Sequence, residues 1–144
     1  MSWINKMIRL YTDGASSGDP GPSGVGIVYV LADGTTKEDR YFIGSASNHE
    51  AEFMALRIGL LTCLHHGWRQ VSVCTDAKLV CDSVEKRYVK NKHFSTHLQV
   101  ILKQVDQCEL FFIKWIPSKQ NKKADALAKL ALREPLRRFN EEGV

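Results

Sequence analysis

The stretch YTDGASSGDPGPSGVGIVYV (residues 11–30) decides how the chain is read. An apolar run ends at Asp13, a loop of Gly, Ser and Pro follows, and a second apolar run begins. Two such runs around a turn-rich loop read as consecutive strands. Gly14 leaves room for backbone to approach a ligand closely beside Asp13. Gly18, Pro20, Gly21, Pro22 and Gly24 shape a stiff turn with few side chains in the way. An EF-hand calcium loop does not fit, because Ala15 falls where an oxygen ligand is needed and the distal Glu spacing is absent. An isolated Asp after a strand is ordinarily a turn or cap residue, so chemistry at Asp13 needs other acids placed beside it.

Outward from this stretch the pattern is regular. KMIRLYTD (residues 6–13) reads as the first strand, and GVGIVYVLADGTTKEDRYFIG (residues 24–44) as two more, split by the hairpin signal Asp33-Gly34. The period then changes. SNHEAEFMALRIGLLTCLHHG (residues 47–67) places Phe53, Leu56, Leu60 and Leu64 at helical spacing, with Ser47 and Glu50 as a capping box and Gly67 as the stop. VSVCTD (residues 71–76) is a short buried strand, and AKLVCDSVEKR (77–87) and FSTHLQVILKQV (94–105) are helices. ELFFIKWI (109–116) is a near-continuous apolar strand, and NKKADALAKLALR (121–133) is a last helix with Asn121 as its N-cap. The order β-β-β-α-β-α-α-β-α predicts an α/β fold. Its five-stranded mixed sheet has three antiparallel meander strands plus two parallel strands, flanked by helices.

The chain has 144 residues and fits a single domain over 1–134, followed by a tail over 135–144 without periodicity. Four cysteines without a C-x-x-C pair read as small buried hydrophobes in a reducing compartment, not as a disulfide frame or a zinc site. No signal peptide or transmembrane run is visible, so a cytoplasmic protein without a membrane partner is expected. A net charge of +4 permits a polyanionic partner without requiring one.

Four acids fall where such a sheet would gather them. Asp13 and Asp76 close strands that can be parallel neighbours, and ligands of open α/β sheets bind at those carboxyl ends. Glu52 shares a helix face with Ala55, Leu56 and Gly59, and Asp125 sits among small residues early in the last helix. Gathered carboxylates repel one another, and a hard divalent cation with oxygen ligands is the natural neutraliser. Two such ions about 4 Å apart serve in-line displacement at a phosphodiester.

The segments TDGASSGDPGPSGVG, SNHEAEFMAL, CTDAKLV and NKKADALAKLA resemble, in order and spacing, the acidic motifs of type I ribonuclease H, over residues 8–132. The resemblance implies a ribonuclease H-like fold. It implies endonucleolytic cleavage of the RNA strand of RNA–DNA hybrids with Mg²⁺ or Mn²⁺, two ions per site, and no organic cofactor. By motif position, Asp13, Glu52, Asp76 and Asp125 are the expected metal-binding catalytic acids. Ser47, Asn48 and the backbone near Gly14 and Asp19 are expected at the hybrid, along with Lys78, Lys86 and Arg87. A monomer is expected.

Three features depart from many members. The loop IPSKQNKKAD (residues 116–125) lacks the histidine that assists proton transfer or product release, as in the branch of the family without it. Lys78 stands where Gln is common. The segment VEKRYVKNKHFSTH (residues 84–97) is shorter than the basic handle of some relatives. The histidines show no second ligand at metal spacing and none is expected to be catalytic, with His49 the best placed for substrate. Two other readings compete: a catalytically weak hybrid- or duplex-RNA-binding module on the same fold, and another nuclease such as an exonuclease or recombinase core. The second is disfavoured by the lack of added domains and extra long loops.

Overall fold

The computed structural model describes residues 6–133. The expected element order is present: β1 (Ile8–Ser16), β2 (Gly21–Val30), β3 (Thr36–Ala46), α1 (Asn48–His65), β4 (Gln70–Thr75), α2 (Lys78–Lys86), α3 (Lys92–Asp106), β5 (Leu110–Trp115) and α4 (Lys122–Arg133), with a 3₁₀ turn at Ser118–Gln120 before α4. The sheet order is β3-β2-β1-β4-β5. β1 pairs antiparallel with β2 and β2 with β3, whereas β1–β4 and β4–β5 are parallel. The expected tail boundary at 135 lies outside the described residues. Among the described residues no helix is long and apolar enough to cross a membrane.

The strand period of two sorts side chains onto two faces. Ile8 and Leu10 of β1, Val25, Ile27 and Tyr29 of β2, and Val71 and Val73 of β4 point to one face. There they meet Phe53, Leu56 and Leu60 of α1 and Leu98 and Ile101 of α3 in the main core. Burying each large aliphatic side chain there contributes roughly 1.5–3 kcal/mol. On the opposite face of β2, Gly24 and Gly26 present no side chain to α4. A Cβ at Gly26 would overlap the backbone of Ala124 and Ala128, so α4 lies directly against the sheet. Val28, Ala124 and Leu127 form a second, smaller cluster beneath it. β5 is an edge strand, and its Phe112 is exposed.

Two expected caps differ from the sequence reading. Ser47 caps α1 by accepting from the Glu50 N–H at 3.1 Å, but the Glu50 carboxylate does not return to Ser47; it turns to His93 and His97 on α3. A local cap bond is weak beside two imidazole partners that are charge-assisted when protonated. Asn121 gives its backbone carbonyl to the Asp125 N–H, while its side chain points into the sheet. The cysteines are free, with Cys63, Cys74 and Cys81 buried and Cys108 half-buried.

Candidate active site

The two parallel strands end together. Thr12 pairs with Thr75, so the next residues, Asp13 and Asp76, stand side by side beyond the last rung. Both fall on the α4 face, the face of Tyr11, because residues two apart share a side. α4 brings Asp125 to that face from its first turn. Glu52 arrives from the other side of the sheet, near the start of α1. Gly14 makes this possible, since a Cβ there would overlap the backbone of Ala51 and Glu52. Its close approach is therefore to α1.

Electrostatics show that the four acids converge. Burial pushes the Asp13 carboxyl up to about 9, with the charge of Asp76, a hydrogen bond to Asp125, and the charges of Asp125 and Glu52 adding to it. Burial also raises Glu52; its hydrogen bond to His49 opposes the shift and Asp76 adds to it. At neutral pH the protein alone thus keeps a proton on Asp13. A divalent cation among these carboxylates would take that proton's place. The donor set, carboxylate oxygens with one aspartate nearly buried, suits Mg²⁺ or Mn²⁺.

Residues to which the sequence reading gave another role, or none, hold the acids in place. The Asn121 amide is buried and donates to the Thr12 carbonyl at 2.9 Å and to Asp76 Oδ1 at 3.2 Å. Lys129 meets Asp125 at 2.9 Å, one helical turn on. His49 Nδ1 lies 3.0 Å from Glu52 Oε1. The exposed Trp115 donates its indole N–H to the Asp76 carbonyl at 3.1 Å. The i,i+3 and i,i+4 spacings were visible signals for His49 and Lys129. Local pattern marked Asn121 only as a cap and gave Trp115 no partner. Asn121→Ala is expected to cost about 1–3 kcal/mol of stability by leaving buried polar groups without their donor. It should also lower kcat about tenfold or more, as loss of a ligand-orienting partner does. A thermal melt and a steady-state assay read both, and unchanged kcat would remove Asn121 as a positioning residue.

Most of the residues expected at the substrate are exposed. Asn48 is exposed at the start of α1, beside the capping Ser47. Asp19 is exposed in the β1–β2 loop. Lys78 is exposed and 3.6 Å from Asp82, and Lys86 is exposed at the end of α2. Arg87 is engaged elsewhere, its guanidinium lying 3.0 and 3.1 Å from the two Asp106 carboxylate oxygens. A concavity of about 730 Å³ lined by Lys6, Asp33, Trp68 and Glu109 lies at the other end of the sheet, away from the acids. The histidines require a correction: His93 and His97, four apart on α3, share the Glu50 carboxylate contributed by α1, a partner no local spacing revealed.

Residues 11–131 match the family model described as reverse transcriptase-like. The Enterococcus faecalis protein EbsB is 38% identical, over 89% of this chain and 96% of its own length. A ribonuclease H of Desulforamulus reducens is 30% identical, over 90% of each chain. The chain spans only 35% of the bifunctional Mycobacterium tuberculosis protein Rv2228c, to which it is 35% identical. Among solved structures, RNase H1 from Halobacterium salinarum superposes with a TM-score of 0.84 at 31% identity, covering 89% of this chain and 98% of that one. LC11-RNase H1, solved in complex with an RNA/DNA hybrid, superposes with a TM-score of 0.78 at 28% identity, over 90% and 99% of the two chains.

Proposed function

The chain belongs to the ribonuclease H family, and on that premise we propose that it hydrolyses the RNA strand of RNA–DNA hybrids endonucleolytically, with divalent cations held by Asp13, Glu52, Asp76 and Asp125. What supports this reading most is the convergence of the four acids: Asp13 and Asp76 side by side beyond the last rung of two parallel strands, with Asp125 of α4 and Glu52 of α1 brought against them. A purely binding surface for a polyanion has no use for a repulsive carboxylate cluster. When bound there, two divalent ions supply activation of the attacking water and stabilisation of the leaving oxygen.

The chain's own residues then have separate tasks. Asn121 holds Asp76 in register with Asp13, and Lys129 offsets the charge of Asp125. Asn48 and Ser47, at the start of α1, are placed beside Glu52 to meet the hybrid. A hybrid is read through its shape and the RNA 2′-hydroxyls, which suits a short-range surface of this kind better than a deep pocket. Exposed Lys78 and Lys86 supply phosphate contacts, with Lys90 and Lys92 of the following segment as further cations. A monomer suffices, since all four acids come from one chain. Free and largely buried cysteines support a reducing, cytoplasmic setting.

The test is cleavage of a labelled RNA–DNA hybrid by purified protein with Mg²⁺, with Mn²⁺ and with chelator, beside single-stranded and duplex RNA. Metal-dependent loss of RNA from the hybrid alone is the expected result. Retained hybrid binding without cleavage in either metal would overturn the enzymatic reading in favour of a binding module.

A further inference from the structure

Three side chains that the catalytic reading leaves unused meet between α1 and α3. One carboxylate oxygen of Glu50, Oε2, lies 2.7 Å from His93 Nε2 and 2.9 Å from His97 Nε2. The two imidazoles project from the same face of α3 and stand nearly perpendicular, at 83° with centroids 5.7 Å apart, so their Nε2 atoms reach the carboxylate from different directions. One ligating atom from each of the three residues lies within 4.8 Å of the others. We infer that Glu50, His93 and His97 form a second metal site, separate from the acidic centre and selective for a transition-metal dication of the Zn²⁺ kind.

The donor set makes the choice of ion. Two imidazoles and one carboxylate suit Zn²⁺ and its first-row neighbours, whereas Mg²⁺ and Mn²⁺ prefer the all-oxygen cluster around Asp13. Three protein ligands on a tetrahedral ion leave one position for water. That position falls on the solvent side, because the His93 side chain is 64% exposed while those of Glu50 and His97 are 18% and 10% exposed. In a tetrahedral zinc centre, ligand atoms stand about 3.3 Å apart at Zn–N and Zn–O lengths of about 2.0–2.1 Å. The two separations from Glu50 Oε2, 2.7 and 2.9 Å, need to open by about half an ångström to reach that value.

Arg57 sets a limit on affinity. Its Nη1 lies 3.0 Å from His97 Nδ1 and can only donate, so without metal the ring proton sits on Nε2 and faces Glu50. Metal uptake moves that proton to Nδ1 and displaces the guanidinium. The site is accordingly exchangeable under a chelator, unlike a zinc centre on which folding depends. Its occupant would clamp the start of α1, which carries Glu52, to the start of α3.

The experiment uses full-length protein without a polyhistidine tag, stripped by chelator and carrying Asp13→Asn and Asp76→Asn to silence the acidic centre. Co²⁺ titration is read by the visible bands of tetrahedral cobalt, and Zn²⁺ binding by calorimetry. A single bound Co²⁺ with tetrahedral bands, displaced by Zn²⁺, is expected. His93→Gln, at an exposed position, is expected to weaken Zn²⁺ binding by about tenfold or more. Absence of the cobalt bands, or Zn²⁺ affinity unchanged by His93→Gln, would overturn the site and leave only a hydrogen-bonded link between the helices.

Discussion

Asp13→Asn is expected to lower hybrid cleavage by roughly a thousandfold or more, since it removes an electrostatic group on which the transition state depends, while raising the melting temperature of the metal-free protein. The two effects have one origin. Asp13 is buried beside three other acids, and its carboxyl is raised from 3.8 to about 9. Between those values the folded protein holds a proton that the unfolded chain has released. The native state therefore binds more protons, and stability falls as pH rises through that window. Around neutral pH the strain from this one group is on the order of a few kcal/mol. Asn keeps the shape and cannot ionise, so the variant should melt about 5 °C higher or more near pH 7.5, given about 2–4 °C per kcal/mol for a chain of this size. Its stability should also vary less with pH between 5 and 9. Mg²⁺ should stabilise the wild type by binding only its folded form, and the variant much less. Near-normal cleavage by purified Asp13→Asn would sink the metal assignment. A variant that melts lower, with the pH slope intact, would show instead that Asp13 is not the strained group.

Local patterns predicted the elements because each element's own residues carry its period. The turn from alternation to helical spacing at Ser47 placed α1, and the apolar strand ends placed Asp13 and Asp76 at adjacent carboxyl termini. Glu52 stood out because an acid on a face with Ala55, Leu56 and Gly59 has no local excuse. What stayed hidden depends on partners far away in sequence. Glu50 satisfied the capping-box pattern with Ser47, yet its carboxylate, mostly buried, goes to histidines more than forty residues away. Asn121 fitted a cap equally well, and its amide instead joins two strands. In both cases a side chain with a local use found a buried, long-range one, where an unpaired polar group costs more. Gly14 and Gly26 show the same limit from the packing side. Glycine in a strand signals close backbone approach but does not say which element approaches.

Gly14→Val tests that approach and is expected to be the most damaging single change to the frame of the site. A Cβ at Gly14 would overlap the backbone of Ala51 and Glu52, and neither a helix backbone nor a central strand can step aside as a flexible side-chain end does. Overpacking of this kind ordinarily costs about 1–3 kcal/mol, and more where backbone must shift. Gly14→Ala is the sharper probe because it adds one carbon. Its loss should exceed about 2 kcal/mol even after the gain of about 0.4–1 kcal/mol from restricting the unfolded chain. The displacement is directed: whatever moves α1 off β1 moves Glu52 away from Asp13 and Asp76. Gly14→Ala should therefore lose most of its Mg²⁺-induced rise in melting temperature and most of its cleavage rate under conditions where it is still folded. A core variant of equal cost placed far from the acids, such as Leu98→Ala, should keep both. Comparable melting losses with activity preserved in Gly14→Ala would mean that α1 can retreat without carrying Glu52 away. The helix would then be a support for the sheet and not the element that sets the geometry of the acids.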